Sequence, residues 1–371
     1  MEAPRILDVP VVIFSFDRPA YLEALCRGLA AQRLVRPDPA NIHLMQDAVN
    51  SALTYTRYAE QSDVAACIAV FRRHFPQGQV HRPHANLGIA ENILRGQRLA
   101  FEELGADLGY FFEDDLEPGP LYLHAMEALR ALTEPHAAGV GYFAAYGDHT
   151  AGREGPRVDY AELGHHWGFG LRRAAWRRIQ DWLLPWWKEI RRNDYPARNR
   201  VRILKLWRGK PVAMDGEGED QATSLACADL GLARIGTDVC FARYLGEHGQ
   251  HFNPHVYRHL GFDRMRVAEG EAFDFAPLPA ERVRAIAETA RARCVDYRAN
   301  GLEPLIARLE AEQEDPDRLA TAEDVALLWR LLLDRRQVPE AELERHVGRT
   351  TVKALRRGIV RSRHFRMATS V

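Results

Sequence analysis

Three adjacent acids at the end of a short apolar run are the most chemically distinctive feature of this 371-residue chain. Glu113, Asp114 and Asp115, here called the strand-end triad, close a run that begins at Gly109 and is typical of a buried strand. Neighbouring carboxylates repel one another, so a cation must offset their charge. A divalent ion that also ligates phosphate oxygens is the simplest candidate, and a solvated acidic turn is the alternative.

Further polar residues follow other predicted strands. Strands are predicted to begin near positions 11, 42, 80 and 110, with amphipathic helices between them. This alternation predicts an α/β fold with a parallel sheet and right-handed crossovers. Asp17, Asp47 and Asn86 follow the first three strands. Because the carboxyl ends of parallel strands share one edge, we expect these residues and the strand-end triad to converge on one crevice.

Neither common phosphate-binding glycine motif is present in the sequence. A dinucleotide site needs G-x-G-x-x-G after the first strand and a P-loop needs G-x-x-x-x-G-K-[ST], and the chain has neither. Phosphate must therefore be held another way. A metal ion on the strand-end triad remains, which favours a nucleotide diphosphate bridged by Mn²⁺ or Mg²⁺.

The composition restricts the class of protein. The chain is 46% hydrophobic and 27% charged, enough for one large domain and something smaller. A net charge of −1 argues against non-specific nucleic-acid binding. The five cysteines are scattered, so neither a disulfide framework nor a zinc ribbon is indicated, and a cytoplasmic location fits. We find no signal sequence and no apolar run of membrane-spanning length.

The order of the motifs resembles that of a known family. Asp17-Arg18 follows the first strand, Gln46-Asp47 follows the second, and the strand-end triad follows the fourth. In this order they resemble the GT-A nucleotide-sugar glycosyltransferases, and within them the inverting β-1,2-N-acetylglucosaminyltransferase I family. The similarity covers roughly residues 8 to 258 and continues through 167–171 with Trp176, Glu219-Asp220 and 246–252.

The resemblance implies a fold, a donor and a set of binding residues. The fold is GT-A, an α/β domain whose Rossmann-like, mostly parallel sheet is flanked by helices, and the donor is a UDP-sugar held with Mn²⁺ or Mg²⁺. Asp17 and Asp47 would contact the nucleoside. Glu113 and Asp114 would lie beside the ribose and sugar, and Asp115 would ligate the metal ion. The other donor-binding candidates are Phe16, Arg18, His248 and Gln250.

The same resemblance places the general base in a glycine-rich segment, 215–221, that offers four carboxylates. Asp220 is the first candidate and Glu219 the second, since the pair follows the 167–171 motif and precedes His248. Glu247 stands where the family has a serine, and its charge would repel phosphate unless it points away or binds metal.

Helix capping and zinc binding are alternative roles for some of these residues. Asp17 precedes a helix that starts with Pro19, so it could cap that helix, and capping is the role we prefer for Asn86. Several histidines have spacings that could bring imidazoles to zinc, although Asn253-Pro254 would interrupt a helix there. These histidines are His165, His166, His248, His251, His255 and His259.

Arginine and tryptophan alternate between residues 172 and 210. Such a surface suits an anionic or glycan acceptor or a bilayer interface, because arginine binds phosphate or carboxylate and tryptophan stacks on sugars. An amphipathic helix lying over the core is the alternative. The tryptophans are Trp176, Trp182, Trp186, Trp187 and Trp207.

The chain becomes helical after Tyr257. We predict a GT-A domain over residues 1–260, a helical extension and linker over 261–316, and a small all-α accessory module over 317–371. The module resembles short helical repeats appended to bacterial glycan-modifying enzymes, and its basic end could contact phospholipid at the inner membrane face.

These features together predict a metal-dependent inverting glycosyltransferase. It would move a sugar, N-acetylglucosamine or a related hexose, from a UDP-sugar to a glycan or lipid-linked glycan in bacterial surface-polysaccharide assembly. A nucleotidyltransferase and a non-catalytic sugar-nucleotide or glycan-binding module are the alternatives.

Overall fold

The computed structural model of the protein describes residues 3–150, 155–248, 254–270, 272–314, 317–333, 335 and 337–362. The strands in these ranges are β1 (Arg5–Ile6), β2 (Val11–Ser15), β3 (Val35–Arg36), β4 (Ile42–Gln46), β5 (Gln79–His81), β6 (Leu108–Glu113), β7 (Leu116–Pro118), β8 (Val140–Ala144), β9 (Arg157–Val158), β10 (Tyr160–Glu162), β11 (Gly168–Arg172), β12 (Ala233–Thr237), β13 (Ala242–Tyr244) and β14 (Asp274–Phe275).

Helices separate most of these strands and are the main elements of the described residues after Phe275. They are α1 (Pro19–Ala30), α2 (Gln61–His74), α3 (Ile89–Arg98), α4 (Tyr122–Thr133), α5 (Arg173–Ile190), α6 (Arg200–Leu206), α7 (Glu219–Leu230), α8 (Pro254–His259), α9 (Ala280–Asn300), α10 (Leu302–Glu314), α11 (Ala322–Leu333), α12 (Glu340–His346) and α13 (Val352–Arg361).

The central sheet has eight strands in the described chain, in the order β10-β12-β8-β11-β6-β2-β4-β5. Neighbouring strands are parallel, except that β11 runs antiparallel to β6 and β8, and β10 runs antiparallel to β12. The predicted α/β class is therefore confirmed, and β2, β4, β5 and β6 confirm the four predicted strands. The sequence did not predict the antiparallel strand β11 in the middle of the sheet.

The central strands are covered on both faces. Every residue of β2 and β4 is buried, which explains why their sequences do not alternate between apolar and polar residues. Helix α3 approaches β2 at Gly96, where a Cβ atom would lie 2.5 Å from the ring of Phe14. Only glycine allows the helix to come this close, because any side chain there would collide with the ring.

The tryptophans of residues 172–210 mostly belong to the core. Trp176, Trp186, Trp187 and Trp207 are each at most 4% exposed, so the prediction that they form a stacking or membrane surface is wrong. Many of the arginines of this segment pair with acids of neighbouring elements, such as Arg191 with Glu91. Helix α5 instead forms the alternative, an amphipathic helix over the core. Burying the indole rings against the core removes more apolar area from water than leaving them on the surface would.

The C-terminal helices α11, α12 and α13 enclose a second hydrophobic cluster. Its buried members are Ala320, Val325, Trp329, Leu333, Leu355 and Ile359, whereas Leu302 and Ile306 of α10 belong to the main core. The predicted C-terminal helices are thus confirmed, and the domain limits at 260 and 316 stay predictions. No helix in the described ranges is long and apolar enough to cross a membrane.

Candidate active site

The carboxyl ends of β2, β4 and β6 bring the predicted site residues to one edge of the sheet. Ser15 pairs with Gln46 and Phe14 with Glu113, so the three strands end at a similar level. Because β11 runs in the opposite direction, its first residues lie at this edge as well. The Glu113 N–H donates to the Trp167 carbonyl oxygen at 2.7 Å. The predicted convergence on one crevice is therefore present in the structure.

Arg18 supplies a cation to the strand-end triad. Its guanidinium donates to the carboxylate of Asp114, and its Nη1 lies 3.0 Å from Asp115 Oδ2. Burial raises the pKa of Asp114 to about 6, although the Arg18 charge opposes that shift. One guanidinium cannot neutralise three carboxylates, so the triad has room for further positive charge.

A second acidic group stands where α7 begins. Glu219 and Asp220, here called the helix-start pair, are its first two residues, where the helix dipole favours negative charge. His166 Nδ1 lies 3.5 Å from Asp220 Oδ1, and the imidazole stacks on Tyr142 with ring centroids 4.5 Å apart. His166 is 2% exposed, and neither ring nitrogen has a hydrogen-bond partner among the described residues.

The two acids of the helix-start pair differ in proton affinity. Burial raises the pKa of Asp220, but His166 and His165 lower it by more, to about 2. Burial, followed by the charge of Asp220, holds the pKa of Glu219 well above its ordinary value. Of the two acids, Asp220 therefore holds its negative charge more readily, and Glu219 binds a proton more readily.

Glu113 connects the two acidic groups electrostatically. Its pKa is raised well above the ordinary value by burial and then by Asp220, Asp115 and Glu219. Repulsion of this kind is strong only between charges that are close together in a poorly hydrated place. The geometry also brings the strand-end triad and the helix-start pair to the same edge of the sheet, because the Glu113 N–H donates to the Trp167 carbonyl oxygen and the adjacent His166 lies 3.5 Å from Asp220.

Two places in the crevice could hold a cation. Asp115 Oδ1 is buried without a hydrogen-bond partner among the described residues, an uncommon state for a carboxylate oxygen, and it fits a ligand to Mn²⁺ or Mg²⁺. His166, Glu219 and Asp220 also offer one ligand atom each, all within 4.8 Å of one another. Within the described chain, the histidines of 248–259 are not part of that cluster.

Asp47 holds the loop that leads into α3. Its Oδ1 accepts from the N–H groups of Ala48 (2.8 Å) and Leu87 (2.9 Å), and its Oδ2 accepts from Gly88 (3.0 Å). Gly88 is the N-cap of α3, so the capping role preferred for Asn86 is wrong. The Asn86 side chain instead donates to the Ala48 carbonyl oxygen at 2.8 Å. Contact between Asp47 and a nucleoside stays a prediction.

The residues after β2 turn directly into α1. The Phe16 carbonyl oxygen accepts from Gln46 Nε2 at 2.6 Å, which joins the ends of β2 and β4. Arg18 is the N-cap residue of α1, so the capping alternative for Asp17 is wrong. Asp17 is half-buried at the crevice edge. Nucleoside binding by Phe16 and Asp17 stays a prediction.

The loop around His248 is attached to both α1 and the strand-end triad. The His248 N–H donates to Tyr21 Oη at 3.1 Å, and the Leu245 N–H donates to the Asp115 carbonyl oxygen at 2.7 Å. The His248 residue itself is exposed. This attachment keeps the loop beside the residues predicted to hold the diphosphate.

Glu247 in the same loop has a positively charged neighbour. Its Oε1 lies 3.4 Å from Arg258 Nη1, which offsets the charge that would repel phosphate. Gln250 and His251 lie outside the described residues.

His166 lies beside Asp220, the first candidate for the base, and the sequence did not indicate this contact. The only available signal was its position directly before the 167–171 motif. Its contact with Asp220 depends on β11 running antiparallel, a feature that the sequence pattern did not reveal. Glu217, another carboxylate of 215–221, lies 3.0 Å from Arg200 and so has its own counter-ion.

Comparison with known proteins gave similarities at the level of structure alone. No family model matches the chain, and no curated protein sequence matches it. A crystal structure of S. aureus TarS 1–349 is 10% identical, covering 89% of this chain and 79% of that one, with a TM-score of 0.37. A further S. aureus TarS structure is 12% identical, covering 91% of this chain and 50% of that one, with a TM-score of 0.38.

A third similar structure is an active-site mutant of LgtC. It is 13% identical, covering 82% of this chain and 96% of that one, with a TM-score of 0.31. At this identity, and with every TM-score below 0.5, the similarities establish neither a shared fold nor a shared activity.

Proposed function

We propose that the protein is a metal-dependent inverting glycosyltransferase of the GT-A type. It would move N-acetylglucosamine or a related hexose from a UDP-sugar to a hydroxyl of a glycan or lipid-linked glycan in bacterial surface-polysaccharide assembly. One observation carries the proposal: two groups of acids, the strand-end triad and the helix-start pair, lie at the carboxyl edge of a mostly parallel sheet, joined by the contacts of Glu113 with Trp167 and of His166 with Asp220.

The strand-end triad is suited to the donor. Asp115 would ligate Mn²⁺ or Mg²⁺ through its unpartnered Oδ1, and Arg18 would share in neutralising the diphosphate. The bound ion would supply electrostatic stabilisation of the negative charge on the departing nucleoside diphosphate. Asp17 and Asp47 would orient the nucleoside from the ends of β2 and β4.

The helix-start pair is suited to the acceptor. Asp220 would take the proton of the acceptor hydroxyl onto a carboxylate oxygen while that hydroxyl oxygen attacks the anomeric carbon in line with the departing diphosphate. His166, at 3.5 Å, would hold the Asp220 carboxylate in place. A single displacement inverts the configuration at the anomeric carbon.

Two other functions remain to be distinguished by experiment. A nucleotidyltransferase could use the same fold and acids, but residues 15–21 lack the glycine-rich, basic loop that such an enzyme normally carries after its first strand. A sugar-nucleotide or glycan-binding module would bind without releasing UDP.

A screen of nucleotide sugars for slow hydrolysis tests the proposal. We expect metal-dependent release of UDP from at least one UDP-sugar, and loss of that release in Asp115→Ala. Release of pyrophosphate from a nucleoside triphosphate would favour the nucleotidyltransferase. Binding of a UDP-sugar without any product would favour the non-catalytic module.

The cellular setting is also part of the proposal. All five cysteines are free and buried, which fits a reducing compartment such as the cytoplasm. The basic C-terminal end would make any peripheral contact with the inner membrane face, since the tryptophans of residues 172–210, also considered for a bilayer interface, are mostly buried.

A further inference from the structure

A polar cavity of about 370 Å³ lies apart from the two acidic groups, and neither the donor nor the base occupies it. Its walls are the loop between β4 and α2, the segment after α5, and one residue of α11. Tyr55, Arg57, Asp194, Pro196 and Arg330 are among the residues that line it. The size is at the lower end of the range for small-ligand sites and suits one or two sugar rings.

Asp194 fixes the walls of this cavity. Its Oδ1 accepts from Ser51 Oγ at 2.6 Å, and its Oδ2 accepts from Tyr58 Oη at 3.0 Å and from the Thr54 hydroxyl. Three hydroxyls on one carboxylate tie the loop after β4 to the segment after α5. The cavity is therefore preformed, which lowers the entropic cost of binding a ligand there.

Tyr55 has an unusual backbone and an unusual exposure. Its φ is 59°, and it is the one non-glycine residue with positive φ in the described ranges. It is 83% exposed although it lines the cavity. A bulky residue in this conformation costs on the order of 1–3 kcal/mol, and such strain is concentrated at functional sites. An exposed tyrosine at the mouth of a polar cavity can stack its apolar ring face on a sugar ring while its hydroxyl stays in contact with polar groups.

The cavity is next to the proposed active site. Ser51 bridges to Asn86 in the loop that Asp47 holds, so one wall continues into the donor side. On the other side, Ala197 lines the cavity, and Arg200, three residues later, lies 3.0 Å from Glu217, which is two residues before the helix-start pair. The cavity therefore lies where an acceptor chain could extend beyond the reacting hydroxyl.

We propose that this cavity is an acceptor subsite that binds a sugar residue, stacked on Tyr55 and hydrogen-bonded by Arg330 from the C-terminal helices. This inference rests on the proposed function and assigns the accessory helices a role in acceptor binding. Arg57 already donates through Nε to the Ala59 carbonyl oxygen and through Nη2 to Glu60. Each guanidinium has five N–H donors that suit hydroxyl or carboxylate oxygens, so neutral and acidic sugars both fit.

Binding of the full chain to an array of bacterial surface polysaccharides and their oligosaccharide fragments tests the subsite. We expect wild-type protein to bind at least one glycan, and Tyr55→Gly to weaken that binding roughly tenfold or more, because it removes the ring. Glycine also relieves the positive φ, so the melting temperature should stay equal or rise. Arg330→Gln should weaken binding of the same glycan. Leu53→Ala, which changes a residue in the loop of Tyr55 but outside the cavity lining, should leave that binding unchanged.

The outcomes separate this subsite from the catalytic proposal. Absence of glycan binding by the wild type, or unchanged binding in Tyr55→Gly or in folded Arg330→Gln, overturns the subsite. If Arg330→Gln unfolds α11, Tyr55→Gly alone decides. Thermal stabilisation by UDP with Mn²⁺ reports the donor site independently, and it should be the same in all of these variants.

Discussion

At the scale of single residues, the site is organised by how its negative charges are offset. Arg18 pairs with Asp114 and Asp115, while His166 lies beside Asp220. Burial and then the charges of Asp220, Asp115 and Glu219 hold the pKa of Glu113 well above its ordinary value, although Arg18 opposes that shift. A site of this kind favours binding of a cation, because one added positive charge reduces the repulsion between several neighbouring carboxylates at the same time.

The first residue-scale prediction concerns Asp115. UDP with Mn²⁺ should stabilise the protein thermally, by about 2.7 kcal/mol at a hundredfold excess over Kd, because a ligand that binds only the folded state shifts unfolding. Asp115→Ala should abolish the shift and leave the melting temperature without ligand nearly unchanged. The measurement is differential scanning fluorimetry with and without EDTA.

A control places the metal ion in one of its two candidate positions. His166→Ala should retain the UDP and Mn²⁺ shift if Asp115 is the ligand. If Asp115→Ala keeps the shift and His166→Ala loses it, the ion belongs to the cluster of His166, Glu219 and Asp220, and the assignment to Asp115 is wrong.

The second residue-scale prediction concerns the base. Asp220→Asn should lower turnover by roughly 10²–10⁴-fold while UDP affinity persists. The variant removes only the carboxylate that takes the proton from the hydroxyl of the acceptor sugar. The matched variant is Glu219→Gln, which mimics the protonated form of Glu219 and should retain most activity. Each variant is assayed for sugar transfer and for UDP binding. The opposite pattern would move the role to Glu219, and two active variants would place the base elsewhere.

At the scale of elements, the loops and helix starts at one edge of the sheet decide which side chains meet. Strand β11, running antiparallel between β6 and β8, delivers His166 to the start of α7. Strands β4 and β5 also bring two histidines together, the buried His43 and the half-buried His81. His43 Nδ1 lies 3.2 Å from His81 Nε2, and His43 Nε2 lies 3.1 Å from Asn41 Oδ1.

This histidine pair predicts acid sensitivity of the fold. Burial lowers the pKa of His43 to about 4 in the folded protein. In the unfolded chain this histidine is protonated below about pH 6.5, whereas in the folded protein it stays neutral down to about pH 4. Because the unfolded state binds the additional proton, the free energy of unfolding is at its full value above about pH 6.5 and decreases as the pH falls towards 4. We expect this residue to account for a loss of about 2–3 kcal/mol over that window.

Urea unfolding between pH 7 and pH 4.5 measures the effect. His43→Gln should flatten the pH dependence, whereas His84→Gln, at an exposed histidine, should leave it as in the wild type. An unchanged slope in His43→Gln would mean that the pair does not control acid stability.

At the scale of the whole molecule, two hydrophobic clusters divide the described chain. The larger includes the sheet and extends through α10, and the smaller is enclosed by α11, α12 and α13. Trp329 is 8% exposed in the smaller cluster, which has only six buried members in the described residues. So small a core depends heavily on its largest side chain.

Trp329→Ala should therefore unfold the C-terminal helices locally. Truncating a buried tryptophan costs about 3–5 kcal/mol, more than a cluster of this size can lose. Hydrogen exchange should show loss of protection in α11 and α13, with β2 and β6 unaffected and UDP binding intact. Loss of protection throughout the sheet would show that the two clusters unfold as one unit.

The sequence by itself determined the strands β2, β4, β5 and β6, most helices and the identity of the candidate acids, because those features depend on local patterns. Apolar runs that end in Asp17, Asp47 and Glu113 specify both the strands and their polar ends, and a parallel sheet necessarily gathers those ends at one edge. The tertiary structure alone decided which charges meet, as in the pairing of Arg18 with the strand-end triad. It also decided that the tryptophans of 172–210 are mostly buried, since local spacing cannot tell a core-facing indole from an exposed one. The contact of His166 with Asp220 joins residues 54 positions apart, and it required the antiparallel course of β11, which long-range strand pairing sets and local sequence does not.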